Sequence, residues 1–161
     1  KAAGNYAAAL YPAMLAAEEG FRQLIWTDAI EHKYIEEAGT MNVIFIIDNI
    51  LVTPISGDTI LNGITKKSVL EIAKDWGMEV QERKIEVDEI LNALMSGSLT
   101  EAFGAGTAAT IAPISNISLN GENFIIPESK PDHFHVKILN YLSNYKKGEV
   151  EDKFNWMETV N

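Results

Sequence analysis

The chain has 161 residues, of which 47% are hydrophobic and 22% charged, which is typical of one globular domain with a buried core. The formal net charge of −10 argues against nucleic acid as a partner, because phosphate backbones are bound by basic surfaces. The absence of cysteine excludes disulfides, thiolate nucleophiles and cysteine-ligated zinc, and no apolar run reaches the ~20 residues of a membrane span. We therefore expect a cytoplasmic protein whose partners include neither nucleic acid nor a membrane.

The hydrophobic pattern predicts helices and strands in mixed order. In chain order these are a helix over residues 7–19, strands over 24–26, 34–37, 41–47 and 50–53, a helix over 66–76, a strand over 79–85, a helix over 87–95, strands over 101–103, 107–114, 117–119 and 123–126, and a helix reaching residue 146. Thr65 and Asp132 are predicted as the N-caps of the second and fourth helices. The dipeptide Asn120-Gly121 predicts a tight hairpin. This order, without repeats or linkers, predicts one α/β or mixed α+β domain.

The histidines do not predict a metal site. His133 and His135 are two residues apart within or beside a predicted helix, so their side chains should point to different sides of it. The third histidine, His32, lies about a hundred residues away in the sequence. We therefore predict that the chain binds no metal.

The first residues suggest a reactive amine. Lys1 opens the sequence Lys-Ala-Ala-Gly-Asn-Tyr, which ends at Tyr6. A lysine that is deprotonated in a buried site can form a Schiff base with an aldehyde cofactor. The alternative is a frayed terminal residue with no chemical role.

Three further stretches contain residues that core packing alone does not require. Residues 37–42 place the carboxyl group of Glu37 just before the buried strand, residues 61–65 lead into a helix, and residues 103–108 hold two glycines and Thr107. The N–H groups at a helix start can bind phosphate, and glycines let the backbone approach a ligand. Each stretch alone could equally be a solvated loop, an ordinary N-cap or a plain turn. Together with the amine they fit one ligand that carries an aldehyde, a ring nitrogen and a phosphate, which is pyridoxal 5'-phosphate.

These motifs resemble the large C-terminal domain of branched-chain amino-acid aminotransferases, which are fold-type IV pyridoxal-phosphate enzymes. The stretches that carry the resemblance are residues 1–6, 34–42, 63–65, 101–108 and 148–153, followed by Trp156. The resemblance covers essentially all of residues 1–161 and implies the large domain of the D-amino-acid aminotransferase-like fold, with mixed sheets in a pseudo-barrel flanked by helices. It also implies transamination between Leu, Ile or Val and 2-oxoglutarate.

By this resemblance, four residues hold or activate the cofactor ring. Lys1 would be the Schiff-base lysine and the proton shuttle, and Tyr6 would donate a hydrogen bond to the ring oxygen. Glu37 would pair with the ring nitrogen, and Leu61 would pack on a ring face.

The resemblance also assigns the phosphate and the substrate. The N–H groups of Ile64 and Thr65 and the hydroxyl of Thr107 would bind the phosphate. The residues on the substrate side would be Thr40, Met41, Thr107 and Ala108.

The sequence departs from the family at several points. The small N-terminal domain, which usually supplies an arginine to the phosphate and part of the pocket, is missing from these residues, so we expect little activity from them alone. Asn62 stands where the family often has proline, and Lys66 where it often has arginine. Family members are commonly homodimers or larger, so we expect a homo-oligomer.

Two alternative functions remain open. A D-amino-acid aminotransferase or an aminodeoxychorismate lyase would share the lysine and the glutamate, although residues 39–42 and 103–107 favour the branched-chain type. A non-catalytic fragment is the alternative from a different class.

Overall fold

A computed structural model describes residues 3–158 of the chain. Its helices and strands are α1 (Ala3–Glu18), β1 (Ile25–Thr27), β2 (Ile35–Ala38), β3 (Met41–Ile47), β4 (Ile50–Pro54), α2 (Ile64–Asp75), β5 (Val80–Arg83), α3 (Val87–Ser96), β6 (Leu99–Gly106), β7 (Thr110–Pro113), β8 (Asn116–Leu119), β9 (Glu122–Ile125) and α4 (Phe134–Lys146). The mixed α/β class predicted from the sequence is confirmed. No helix in the described part is long and apolar enough to cross a membrane.

Strand β3 lies in the middle of a seven-stranded sheet and is buried on both faces. Val43 and Phe45 belong to one hydrophobic core, and Ile44 and Ile46 belong to the other. A strand that is covered on both sides needs apolar residues at every position rather than at alternate ones. This double burial explains the uninterrupted apolar run over residues 43–46.

The sheet curls back towards its own start. Strands β1 to β5 pair in chain order, and β6 pairs with both β3 and β7, while β8 and β9 form a separate hairpin. All these pairs are antiparallel except β4 with β5. Beyond β5, the carbonyl of Ile85 accepts a hydrogen bond of 2.9 Å from the N–H of Ile35, the first residue of β2. This return to β2 agrees with the predicted pseudo-barrel.

Helices cover both faces of the sheet. Val69 and Ile72 of α2 pack with Ile138 of α4 in one core, whereas Ile90 and Ala93 of α3 belong to the other. The two cores therefore hold the strand ends in fixed positions, which matters because the candidate site lies at those ends.

The start of α2 differs from the prediction. Gly63 is the N-cap and the helix begins at Ile64, so the prediction of Thr65 as N-cap was wrong. The carbonyl of Gly63 accepts the N–H of Lys67 at 3.0 Å, which starts the helical hydrogen bonding before Thr65. The sequence favoured Thr65 because threonine has a high N-cap propensity, whereas glycine has no side chain that accepts a capping hydrogen bond.

Strand β6 is longer than predicted. It runs over eight residues, whereas the sequence suggested only residues 101–103, and residues 107–109 form a turn instead of the start of a strand. Gly104 and Gly106 lower the strand propensity of this segment. The segment is nevertheless extended because it pairs with β3 on one side and β7 on the other.

The cap of α4 also differs from the prediction. His133 is the N-cap, with no side-chain capping bond, so the prediction of Asp132 in this role was wrong. Glu101 of β6 caps the helix instead, because its carboxylate accepts the N–H groups of Phe134 at 2.8 Å and His135 at 2.9 Å. Sequence patterns indicate only caps that are adjacent to a helix, whereas the cap of α4 comes from a distant strand.

Candidate functional site

A hydrogen-bonded cluster joins the β2–β3 hairpin to the loop before α2. Glu37 and Asn42 are register partners across the hairpin. The Nδ2 of Asn42 donates to Glu37 Oε1 at 3.0 Å and to the carbonyl of Leu61 at 2.8 Å. The N–H of Leu61 donates to the same Glu37 oxygen at 3.0 Å. Glu37 Oε1 thus has two donors, while Oε2 has no hydrogen-bond partner within residues 3–158.

Partial burial makes the carboxylate form of Glu37 costly. The pKa of Glu37 is raised above its ordinary value of 4.5, mainly because burial disfavours the charged form, and the neighbouring Glu36 adds to the increase. The hydrogen bond from Leu61 and the positive charge of Lys66 offset part of the increase. A cation held against Oε2 would stabilise the carboxylate further.

The start of α2 offers backbone donors close to this cluster. The first N–H groups of a helix have no acceptor within the helix and favour an anion. Leu61, which is bonded to Glu37, is only three residues before Ile64, where α2 begins. Leu61 and Ile64 are 71% and 75% exposed, which is unusual for large apolar side chains beside a buried polar cluster.

Lys66 fixes the beginning of the same loop. Its side chain is fully buried, and its Nζ donates to the carbonyl of Pro54 at 3.0 Å and to Ser56 Oγ at 2.8 Å. Nζ also forms an ion pair of 2.9 Å with Glu82. The ammonium group therefore attaches the loop to α2 and β5, a role that the sequence did not reveal.

Met41 lies against two glycines of the neighbouring strand. A Cβ atom on Gly104 would come within 2.8 Å of Met41 Cε, and one on Gly106 within 2.9 Å of Met41 Cγ. Any larger residue at these positions would push the Met41 side chain away. The glycines of the 103–108 motif thus make room for a side chain that was predicted to line the substrate side.

The strand order determines where the remaining predicted site residues lie. Thr40 is an exposed residue in the β2–β3 turn, while Thr107 and Ala108 are exposed in the turn directly after β6. Asn42 pairs with Ala105, so both turns lie at the same edge of the sheet. This edge also carries Glu37, Met41 and the loop to α2.

The structure does not test two of the predicted site residues. Tyr6 is in α1, is 40% exposed and makes no side-chain hydrogen bond within the described residues. Lys1 lies outside the described residues. The roles of Lys1 and Tyr6 therefore stay predictions.

A second polar cluster lies at the start of α4. His135 Nδ1 contacts Glu101 Oε2 at 2.6 Å, and His135 Nε2 contacts Ser129 Oγ at 2.8 Å. The rings of His133 and His135 are 5.7 Å apart, so the expectation that they point away from each other was wrong. His133 precedes the helix instead of belonging to it, which turns its ring towards its neighbour.

The second cluster has three possible metal ligands but few available lone pairs. Ligand atoms of Glu101, His133 and His135 all lie within 4.8 Å of one another. Both nitrogens of His135 and both oxygens of Glu101 already contact partners, whereas His133 Nδ1 is buried without one in the described part. The cluster is therefore accounted for as the cap of α4, and the predicted absence of a metal stays a prediction.

Two surface depressions lie elsewhere. One is lined by residues at the opposite end of β3 and on α3, including Ile47, Arg83, Asn92 and Ser98. A second also lies beside α3. Neither of these two depressions is lined by a residue of the Glu37 cluster.

Comparison with known proteins assigns the family. Residues 2–117 match the family described as Amino-transferase class IV. The chain belongs to the class IV aminotransferases. Over 160 residues it is 43% identical to branched-chain-amino-acid aminotransferase 2 of Bacillus subtilis (strain 168), and this match covers 99% of the chain and 44% of that relative.

Solved structures of class IV aminotransferases have the same fold. The branched-chain amino acid aminotransferase from Escherichia coli superposes with a TM-score of 0.78 at 30% identity, covering 98% of this chain and 50% of that one. The branched-chain aminotransferase from the archaeon Thermoproteus uzoniensis, solved with norvaline, gives a TM-score of 0.78 at 28% identity, covering 98% of this chain and 48% of that one. The chain thus spans about half the length of the relatives it matches.

Proposed function

We propose that this chain is the cofactor-binding large domain of a pyridoxal-phosphate-dependent branched-chain amino-acid aminotransferase. The full-length enzyme would transfer an amino group between Leu, Ile or Val and 2-oxoglutarate. The observation that carries the proposal is the Glu37 carboxylate, which has one oxygen bound by two donors and the other without a partner in the described residues. The named relatives support the choice of substrates.

The residues present fit pyridoxal phosphate at two ends. Glu37 Oε2 offers an acceptor for a protonated ring nitrogen, and the raised pKa of this half-buried carboxyl group means that a cation there would be stabilising. The N–H groups of Ile64 and Thr65 at the start of α2 offer donors for the phosphate. A hydrogen bond from the N–H of Leu61 to Glu37 Oε1 links the two ends directly.

The side chains would then divide the work as follows. When bound, pyridoxal phosphate supplies a ring that withdraws electrons from the substrate Cα. Glu37 holds a proton on the ring nitrogen, and Lys1 carries a proton to and from the substrate Cα. Tyr6 would donate to the ring oxygen, and Leu61 would cover a ring face and exclude water there.

The substrate would bind beside the two turns at the same edge. Met41 offers an apolar surface for a branched side chain, with Thr40 next to it. Thr107 would add a hydroxyl to the phosphate site, and the backbone of Thr107 and Ala108 would bind the substrate carboxylate. We also propose that the full-length enzyme is cytoplasmic and a homo-oligomer. The exposed apolar side chains of Leu10, Tyr11 and Met14 on α1 support the second part of this proposal.

The experiment is an assay of the full-length protein that carries this chain. With L-Leu and 2-oxoglutarate we expect turnover that Lys1→Ala abolishes and Glu37→Gln lowers by about 100-fold, because the ring nitrogen loses its anionic partner. Glu122→Gln is the matched control at an exposed glutamate of β9, away from the Glu37 cluster, and should stay within about twofold. Turnover of D-Ala or aminodeoxychorismate instead of L-Leu would favour the other enzymes of this fold, and absence of both turnover and bound cofactor would favour a non-catalytic role.

A further inference from the structure

Asn42 occupies the junction between the two halves of the candidate site. It is 5% exposed, and both hydrogen bonds of its Nδ2 group leave its own strand. One bond reaches the carboxylate of Glu37 on β2, and the other reaches the carbonyl of Leu61 in the loop before α2. A single amide group therefore connects the hairpin with the loop.

The Asn42 bonds determine which Glu37 oxygen can meet a ligand. Glu37 Oε1 accepts from Asn42 Nδ2 and from the N–H of Leu61, both at 3.0 Å. A carboxylate that is held by two donors on one oxygen cannot rotate without losing both bonds. The other oxygen is consequently presented in one orientation.

Gly63 is part of the same arrangement. A Cβ atom at Gly63 would lie 2.3 Å from Asn42 Oδ1, which is closer than any real contact. The backbone angles of Gly63 (φ −65°, ψ 139°) are ordinary for any residue, so a side chain here would conflict with the Asn42 amide and not with the backbone. The amide thus packs directly on the N-cap of α2.

We propose that Asn42 is a positioning residue that holds the ring-nitrogen acceptor and the phosphate-binding helix start at a fixed separation. This inference rests on the proposed function. Asn42 does not touch the reacting atoms. It acts through Glu37, whose oriented oxygen keeps the ring nitrogen protonated, and through Leu61, whose carbonyl anchors the loop that leads to α2.

The test measures cofactor binding and ring protonation in the full-length protein. We expect Asn42→Ala to raise the dissociation constant for pyridoxal phosphate about tenfold, the effect of losing hydrogen bonds to a charged group. With cofactor labelled with ¹⁵N in the ring, the ¹⁵N chemical shift should show deprotonation at a lower pH than in the unaltered protein. The matched control is Asn62→Ala, an exposed asparagine of the same loop without a side-chain hydrogen bond in residues 3–158, which should change neither value.

A second variant tests the same contact without removing Asn42. Gly63→Ala should displace the Asn42 amide and weaken cofactor binding, with the same shift of the ring-nitrogen titration. In the Asn42→Ala background Gly63→Ala should cost little more, because the added methyl group then meets no amide. If Asn42→Ala does not fold, the Gly63→Ala protein decides the question alone.

Two results would overturn the inference. One is unchanged cofactor affinity in both variants, and the other is weakened binding with an unchanged pH of ring deprotonation, which would indicate a purely structural role. Failure of the proposed function is a separate result, since the unaltered full-length protein would then bind no pyridoxal phosphate at all.

Discussion

Glu37 and Glu101 are two carboxylates of the same sheet that have opposite hydrogen-bonding arrangements. Glu101 uses both oxygens within the protein, on the N–H groups of Phe134 and His135 and on the His135 ring. Glu37 uses only Oε1 within the described residues. Glu101 is 7% exposed, whereas Glu37 is half-buried.

On the function proposed above, this difference separates a structural carboxylate, that of Glu101, from a ligand-binding one, that of Glu37. A buried carboxylate is tolerated when hydrogen bonds and charge compensate for lost hydration. Glu101 obtains this compensation from the start of α4, so it contributes to stability. Glu37 is compensated only in part, so burial raises its pKa, and its Oε2 is the acceptor for the proposed ligand.

The largest effect should come from removing the structural carboxylate. Glu101→Ala leaves two backbone N–H groups and the His135 ring without their acceptor in the interior, so we expect a loss of about 3 kcal/mol in the free energy of unfolding. Urea denaturation of the full-length protein measures it. Glu128→Ala, at an exposed loop glutamate, should cost less than about 0.5 kcal/mol. A loss below about 1 kcal/mol for Glu101→Ala would refute the role of Glu101 as a cap.

A third carboxylate, that of Asp28, also has a structural role, and it lies at the protein surface. Asp28 accepts four backbone N–H groups, those of Ile30, Glu31, Lys33 and Tyr34. These bonds, led by that of Tyr34, lower the pKa of Asp28 well below its ordinary value of 3.8. A lowered pKa stabilises the fold above the unfolded-state value, and this contribution is lost as the pH falls further.

Asp28→Asn should therefore lower Tm at neutral pH, because an amide has one acceptor oxygen instead of two. The deficit should shrink as the pH is lowered below about 3.8, where the unaltered protein also begins to lose the stabilisation. Thermal unfolding at a series of pH values checks this, with Asp132→Asn as control. A deficit that is independent of pH would mean that the charge of Asp28 does not matter.

The smallest effect on stability should come from Glu37, with the opposite sign. Its pKa is raised by burial, so its ionisation destabilises the fold as the pH rises from 4.5 through the folded-state value. Without cofactor, Glu37→Gln should match the unaltered protein near pH 4 and gain in relative Tm as the pH approaches 7. A relative loss of Tm over this range would place Glu37 in the same class as Glu101.

The sequence predicted the central elements well because their signals are local. The apolar run of β3, the hairpin at Asn120-Gly121 and the start of α3 at Val87 depend on neighbouring residues, and the structure agrees at each of them. The family resemblance also predicted that Glu37 pairs with the ring nitrogen, and this role stays a prediction. The hydrogen-bonding partners of Glu37 could not be predicted, because the loop that contains Leu61 folds back across the hairpin.

The errors concern contacts between distant segments. The cap of α4 was assigned to Asp132, whereas the acceptor is Glu101, more than thirty residues earlier. The predicted strand β6 was too short because Gly104 has low strand propensity. In the structure, the Met41 side chain packs in the space that a side chain at Gly104 would occupy. Both features depend on tertiary packing, which local propensities do not describe.

The most direct test of the account is a crystal structure of the full-length protein with pyridoxal phosphate bound. The account predicts the ring nitrogen within about 3 Å of Glu37 Oε2, while Oε1 keeps its bonds to Asn42 and Leu61. A ring nitrogen that contacts another group, or a cofactor bound away from the start of α2, would contradict it.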